Sequence, residues 1–197
     1  GMTHAEFERT ARKAPAGSDG LLLLPYLEGE RTPNVPAGTG VFLGVNTRTF
    51  TARHFARAAM EGVILGMNYG LRRLASLGVR PAQIRATGGG AQSGLWRQIM
   101  ADIFNAEVVT LRVSEGAAFG AALQALWCWW RARGKRVGIE EITDAFVAVN
   151  PRDTAVPCPA AAQRYVELQA LQDATSKALR GVFAQHRAFA TSSPKGR

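Results

Sequence analysis

A run of three glycines between an apolar segment and an amphipathic one constrains this chain more than any other feature. Residues Thr87 to Trp96 read T-G-G-G-A-Q-S-G-L-W, and the apolar segment Ile84 to Ala86 precedes them. Leu95, Ile99, Met100 and Ile103 follow at helical spacing. Glycine permits positive φ and close approach of a ligand to the backbone. The pattern predicts a strand, a tight turn and a helix, with Ser93 capping free N–H groups that can face a polar or anionic ligand.

The glycines allow two interpretations, because a strand-to-helix turn also uses glycine for geometry alone. The ten residues do not separate geometry from ligand binding. A phosphate loop requires lysine and then serine or threonine after its last glycine, whereas apolar residues follow the pair Gly89 and Gly94. A dinucleotide fingerprint requires G-x-G-x-x-G, which Gly88, Gly90 and Ser93 match only in part. The phosphate-loop interpretation is therefore excluded, and the dinucleotide interpretation is weak.

Length and composition predict a soluble globular domain. The chain has 197 residues, is 47% hydrophobic and contains no apolar run long enough to cross a bilayer. Cys128 and Cys158 stand alone and the three histidines are scattered, so we expect neither a disulfide nor a metal site. No secretion signal follows Met2, and we expect a cytoplasmic protein without a membrane partner.

The net charge of +9 would suit a protein that binds nucleic acid. The arginines are spread along the chain, however, and the one cluster consists of Arg131, Arg133, Lys135 and Arg136. No recognisable RNA-binding motif accompanies this cluster, so we expect a solvated basic surface and no nucleic-acid partner. The alternative remains testable, because binding to nucleic acid would weaken steeply with salt.

Strands and helices alternate in the predicted order, which indicates an α/β layered domain. Strands are predicted at residues 21–24, 41–45, 84–87 and 108–113, and a helix at 3–14 precedes the first of them. Further helices are predicted at 51–77, 93–104, 115–131, 140–146 and 160–185, with an extended crossover at 150–159. We expect one domain at 21–186, a lead-in at 1–20 and a flexible tail at 187–197.

Two predicted helices carry small residues along one face. Gly62, Gly66 and Gly70 recur every four residues in the long second helix, which predicts close packing against another element. The helix at 115–131 has a similar thin surface, on which a sheet or helix could pack closely. Its members are Ala117, Ala118, Gly120, Ala121, Ala122 and Ala125.

Three ordered motifs carry a resemblance to a known family. The first is L-P-Y-L-E-G-E-R-T-P at Leu24 to Pro33, and the second extends from Gly40 to Glu61 and includes G-V-F-L-G-V and H-F-A-R-A-A-M-E. The third, at Ala86 to Phe104, contains the glycine run. With these motifs, the chain resembles the C-terminal domain of the FGGY family of carbohydrate kinases over roughly residues 20–185. The first motif is most similar to members that phosphorylate D-xylulose.

The resemblance implies an actin-like, ribonuclease-H-like ATPase fold and ATP-dependent phosphorylation of a sugar hydroxyl. On this pattern Gly89 would approach the adenosine of ATP or ADP with its backbone. Ser93 would lie near the base or ribose, at a position where many relatives carry asparagine. Gly88, Gly90 and Gln92 would line the same turn.

The charged loop after the first strand is the second candidate site. The resemblance places Glu28, Glu30, Arg31 and Thr32 towards a substrate cleft between two kinase domains. A solvated or internally paired loop is the alternative interpretation, and composition alone favours it.

The catalytic base, the Mg²⁺ site and the phosphate loops of such kinases come from parts that do not match this chain. We therefore expect no catalytic residue here, and Mg²⁺ and sugar binding only in a complete enzyme. The expected partners are a nucleotide and either a second copy in a homodimer or a missing N-terminal kinase half. Glu61 and Asp102 occupy family positions with an expected structural role. The alternative is a non-enzymatic relic or interaction module with weak or no nucleotide binding.

Overall fold

The computed structural model describes residues 1–192, which contain both helices and strands. The helices are α1 (His4–Ala11), α2 (Ala52–Ser76), α3 (Gly94–Phe104), α4 (Gly116–Ala132), α5 (Ile139–Phe146), α6 (Pro159–Ala178) and α7 (Arg180–Ser192). The strands are β1 (Leu22–Pro25), β2 (Gly40–Leu43), β3 (Gln83–Ala86), β4 (Glu107–Leu111) and β5 (Val149–Ala155). Short 3₁₀ turns lie at Ser18–Gly20 and Gly89–Gln92. The predicted α/β class is confirmed.

The contacts within the chain divide it into two units. The first unit comprises Gly1–Arg80, Asp102–Asn105 and the chain from Pro157 onward, and the second comprises Pro81–Ala101 and Ala106–Val156. The expected lead-in belongs to the first unit, because α1 packs against α2 and Ala11 is fully buried.

The first unit is built on a two-stranded antiparallel sheet and the long helix α2. Strand β1 is buried on both faces, as its run of leucines predicts, and it pairs with β2. A Cβ on Gly62 would lie 2.5 Å from the carbonyl oxygen of Leu23, so the predicted close packing is confirmed there. The positions of Gly66 and Gly70 are open, with no heavy atom within 4 Å of an added Cβ, and there the prediction is wrong.

The C-terminal helices differ from the prediction of one helix followed by a tail. The chain forms α6 and α7, separated at Leu179, and α7 extends to Ser192. The buried ring of Phe183 anchors α7 on the first unit. Helix therefore continues into the segment where a flexible tail was expected from Arg187, and residues 193–197 lie outside the described part of the chain.

The second unit contains a three-stranded sheet in the order β3-β4-β5. Strands β3 and β4 are parallel, and β5 runs antiparallel to β4. The sequence predicted only an extended crossover where β5 forms. Ala101, Val108 and Ala155 form the buried core, against which Ile84, Ala86 and Met100 pack.

Helix α4 buries Leu123 and leaves its small residues exposed. Leu123 is buried, whereas the six alanine and glycine positions predicted to pack closely are all exposed. That prediction is therefore wrong for the described residues. No helix within residues 1–192 combines the length and apolar character needed to cross a membrane.

Candidate functional site

The glycine turn lies at the carboxyl end of β3, where the sequence placed it. Gly88 has φ 83° and ψ −175°, a conformation that is essentially restricted to glycine. Gly89 is open, because an added Cβ would have no heavy atom within 4 Å. Gly90 instead packs on Trp96, whose ring carbon lies 3.2 Å from the Cβ position. The three glycines thus have separate roles. Gly88 shapes the turn, Gly89 leaves an open face, and Gly90 leaves room for the indole ring of Trp96.

Ser93 is the N-cap of α3, as predicted. Its Oγ accepts a hydrogen bond of 3.1 Å from the backbone N–H of Trp96. A serine hydroxyl carries one proton and two acceptor lone pairs, so this cap leaves the proton for donation to a ligand.

A polar network fixes the end of the turn on the neighbouring helix and strand. Arg97 donates from Nη1 to the carbonyl oxygen of Ala91 at 2.6 Å and from Nη2 to Oδ1 of Asp153 at 2.8 Å. Asn150 donates from Nδ2 to the other carboxylate oxygen of Asp153 at 2.7 Å. Helix α3 and strand β5 therefore hold the turn together. No local sequence pattern pointed to Arg97, Asn150 or Asp153.

A polar cavity of about 230 Å³ lies beside the turn at the carboxyl ends of β3 and β4. Gly88 and Gln92 line it, together with Thr110, Arg112 and Asn150. The carboxyl end of parallel strands is where open α/β sheets bind ligands. The hydroxyl of Thr110 is buried there without a hydrogen-bond partner in the described chain. Sequence reasoning missed Thr110 and Arg112, although their place at the end of the strand parallel to β3 could have indicated them.

The charged loop of the first unit is partly self-contained. The carboxylate of Glu30 accepts hydrogen bonds from the backbone N–H of Arg31 at 2.7 Å and of Thr32 at 3.0 Å. Glu30 and Val35 also exchange two backbone hydrogen bonds, of 2.9 and 2.8 Å. The side chains of Glu28, Arg31 and Thr32 are exposed. Internal pairing thus accounts for Glu30, and the other three side chains are accessible to a ligand.

Two family positions have buried structural contacts. The Glu61 carboxylate accepts from the backbone N–H of Gly17 at 2.9 Å and from Arg57 Nε and Tyr165 Oη, both at 2.6 Å. Asp102 accepts from the backbone N–H of Cys158 at 2.8 Å, at the start of α6. Both contacts join segments that are distant in the sequence, in agreement with the expected structural role.

Comparison with known proteins identifies the family. Residues 3–129 match the model of the C-terminal domain of the FGGY family of carbohydrate kinases. This chain belongs to that family, and its fold is the actin-like, ribonuclease-H-like ATPase fold.

Individual relatives have two sugar specificities. The chain is 38% identical over 152 residues to the xylulose kinase of Haemophilus influenzae, which covers 77% of this chain and 30% of that protein. It is 36% identical over 182 residues to a gluconokinase of Bacillus licheniformis, which covers 90% of this chain and 33% of that protein. The structure of ligand-bound xylulose kinase from Lactobacillus acidophilus matches with a TM-score of 0.82 at 31% identity, covering 93% of this chain and 36% of the other. The chain therefore spans about a third of the length of these kinases.

Proposed function

We propose that this chain supplies the nucleotide-binding part of an ATP-dependent sugar kinase and binds adenosine at the turn from Gly88 to Ser93. The open face of Gly89 carries the proposal. A side chain at position 89 would fill this space, whereas glycine leaves it free. The preceding residue, Gly88, has a backbone conformation that is essentially restricted to glycine.

The residues of the turn fit a nucleoside. The backbone at Gly89 can approach a base or ribose closely, and Ser93 can donate its hydroxyl proton to a ring nitrogen or ribose oxygen. Gly90 and Gln92 complete the turn, with Gly90 in contact with Trp96 and Gln92 exposed. ATP would supply the phosphoryl group, and Mg²⁺ would bind with the remaining part of the kinase.

The proposed acceptor in the complete enzyme is D-xylulose, converted to D-xylulose 5-phosphate. Glu28, Glu30, Arg31 and Thr32 remain our candidates for the substrate cleft. Gluconate is the second candidate, because the similarity to a gluconokinase extends over 90% of this chain. Both kinds of kinase can share a nucleotide-binding domain of this type, since the chemistry at ATP is the same.

We further propose that this chain alone does not transfer a phosphoryl group. The base and phosphate-binding groups would come from the part of the kinase that the chain does not span. Each lost charge-assisted phosphate contact weakens binding by about 1.5–3 kcal/mol, so ADP affinity would lie in the millimolar range. Addition of an N-terminal kinase half should restore turnover, whereas a relic without nucleotide affinity would not respond.

The test is an NMR titration of the isotope-labelled chain with ADP and with adenosine. We expect saturable shifts centred on the amides of Gly88 to Ser93. Gly89→Leu should abolish them, because its side chain fills the open face. Gly70→Leu is the matched control: it places the same side chain in an open helical position of the first unit and should leave the shifts unchanged. Absence of shifts at the turn in the unsubstituted chain would overturn the proposal.

A further inference from the structure

We propose that Arg97 is the positioning residue of the nucleotide turn, acting through Asp153 and Asn150. The inference deepens the proposed function and rests on it, because it states what keeps the turn in its binding conformation. Arg97 itself would not touch the nucleotide. Its task is to fix the carbonyl group of Ala91, which lies between the open face at Gly89 and the hydroxyl of Ser93.

The turn needs this additional contact because its own backbone is flexible and weakly hydrogen-bonded. Three consecutive glycines lose more conformational freedom on ordering than any other residues would. Within the turn, the backbone bonds are Ala91 N–H to Gly88 O at 3.1 Å and Ser93 N–H to Gly90 O at 3.2 Å. Both are at the long end of the range for N–H···O bonds. The bond from Arg97 to Ala91 is shorter, at 2.6 Å, and its donor is charged.

Arg97 is held in place from the opposite side. Its guanidinium makes a bond to the Asp153 carboxylate, and the guanidinium side chain is only 13% exposed. Asn150 occupies the second oxygen of the same carboxylate, and its own Oδ1 accepts from the backbone N–H of Arg152 at 3.2 Å. Each group therefore has a fixed partner, and strand β5 sets the position from which Arg97 reaches the turn. A flexible lysine could not make both bonds, because its ammonium lacks the planar fork.

The experiment measures order in the turn and affinity for ADP in the same set of variants. Arg97→Met keeps much of the apolar stem and removes the fork, whereas Arg97→Lys keeps the charge. Asp153→Asn keeps the shape but places an amide donor opposite a donor of Asn150 or Arg97. Arg85→Met is the matched control, because Arg85 is exposed in the same unit and, within residues 1–192, shows only a 3.5 Å contact with Gln83.

For a rigid turn we expect backbone order parameters of about 0.85 at residues 89–93. Arg97→Met should lower them below about 0.6, while those of β4 stay unchanged. ADP affinity should fall about tenfold, the effect of losing one charge-assisted bond. Arg97→Lys should recover part of both losses, Asp153→Asn should show a smaller loss, and Arg85→Met should show none.

Unchanged order in the turn of Arg97→Met would overturn the inference, as would a disordered turn that binds ADP normally. Loss of order throughout the second unit would reduce Arg97 to a general structural residue. If Arg97→Met does not fold, Arg97→Lys and Asp153→Asn decide the same question. If the unsubstituted chain binds no ADP, the proposed function fails. A less ordered turn in Arg97→Met would then show that Arg97 stabilises the turn locally and has no role in nucleotide binding.

Discussion

A buried polar cluster shows how single residues set the pH dependence of the first unit. Glu61 and Tyr165 are each 1% exposed, and Arg57 is 7% exposed. Tyr165 donates to the Glu61 carboxylate, and Arg57 donates to both of them. Burial, followed by the negative charge of Glu61, raises the pKa of the Tyr165 phenol well above its ordinary value. The folded protein therefore retains this proton at pH values where the unfolded chain releases it.

The sign of the stability change follows from this pKa. Below about pH 10 tyrosine is protonated in both states, and the stabilisation is complete. Above that pH the unfolded chain loses the proton first, so the free energy of unfolding falls as pH rises towards the folded pKa. Tyr165→Phe should cost about 1–2 kcal/mol at pH 7 and make the alkaline decline shallower. Urea denaturation between about pH 8 and 11 measures both effects.

Two further tyrosines define the controls for this measurement. Burial also raises the pKa of Tyr26, so part of the alkaline decline should persist in Tyr165→Phe. The charge of Tyr69, a side chain that is 38% exposed, is among the further causes that raise the pKa of Tyr26, so Tyr69→Phe should alter only the part of the decline that persists in Tyr165→Phe. An identical decline in Tyr165→Phe and the unsubstituted chain would contradict the assignment.

Residue identity alone predicted some of these roles and could not predict others. The cap at Ser93 and the turn at Gly88 follow from local rules for backbone geometry, and sequence is sufficient for them. The contacts of Arg97 with Asp153 and of Glu61 with Tyr165 join residues 56 and 104 positions apart. No local pattern encodes such separations, so these partners required the folded structure.

Among the elements, the glycines of α2 offer a direct test of packing. A Cβ on Gly62 would overlap the Leu23 carbonyl oxygen, so Gly62→Ala should cost about 1–3 kcal/mol through overpacking. Gly66→Ala and Gly70→Ala meet no neighbouring atom and should each stabilise the helix by about 0.5–1 kcal/mol. Thermal unfolding of the three variants measures the difference. Destabilisation at all three positions would show that the glycine face of α2 packs against other residues along its whole length.

Element boundaries could be predicted where apolar periodicity is strong. The predictions were wrong where tertiary contacts determine the structure. The sequence indicated α2 and β1 closely, because their buried residues follow the periods of helix and buried strand. Strand β5 was missed, since V-N-P-R-D-T-A has little strand propensity and forms by pairing with β4. The packing face of α4 was assigned to the wrong side, because small residues mark close contact only where a partner is present.

At the scale of the whole molecule, two surfaces of the second unit are candidates for contact with another chain. In the described chain no strand pairs with the outer edge of β3, although the charge of Arg85 on that strand discourages edge pairing. The small-residue face of α4 is apolar and exposed, and it carries no charge between Ala117 and Ala125. We therefore expect the α4 face, more than the strand edge, to bring copies together or to receive the remaining part of the kinase.

Salt dependence separates this association from binding driven by charge. The net charge of +9 makes copies repel one another, and salt screens that repulsion. Sedimentation velocity should show self-association that increases with protein concentration and with salt, whereas binding to nucleic acid would weaken as salt rises.

Ala121→Glu should suppress the association by burying a carboxylate at the contact, and Ala170→Glu, at an exposed position of α6, should not. If both variants associate as the unsubstituted chain does, the contact lies elsewhere. If Ala121→Glu alone also loses binding to an added N-terminal kinase half, the same face serves both partners, and homodimer and complete kinase exclude each other.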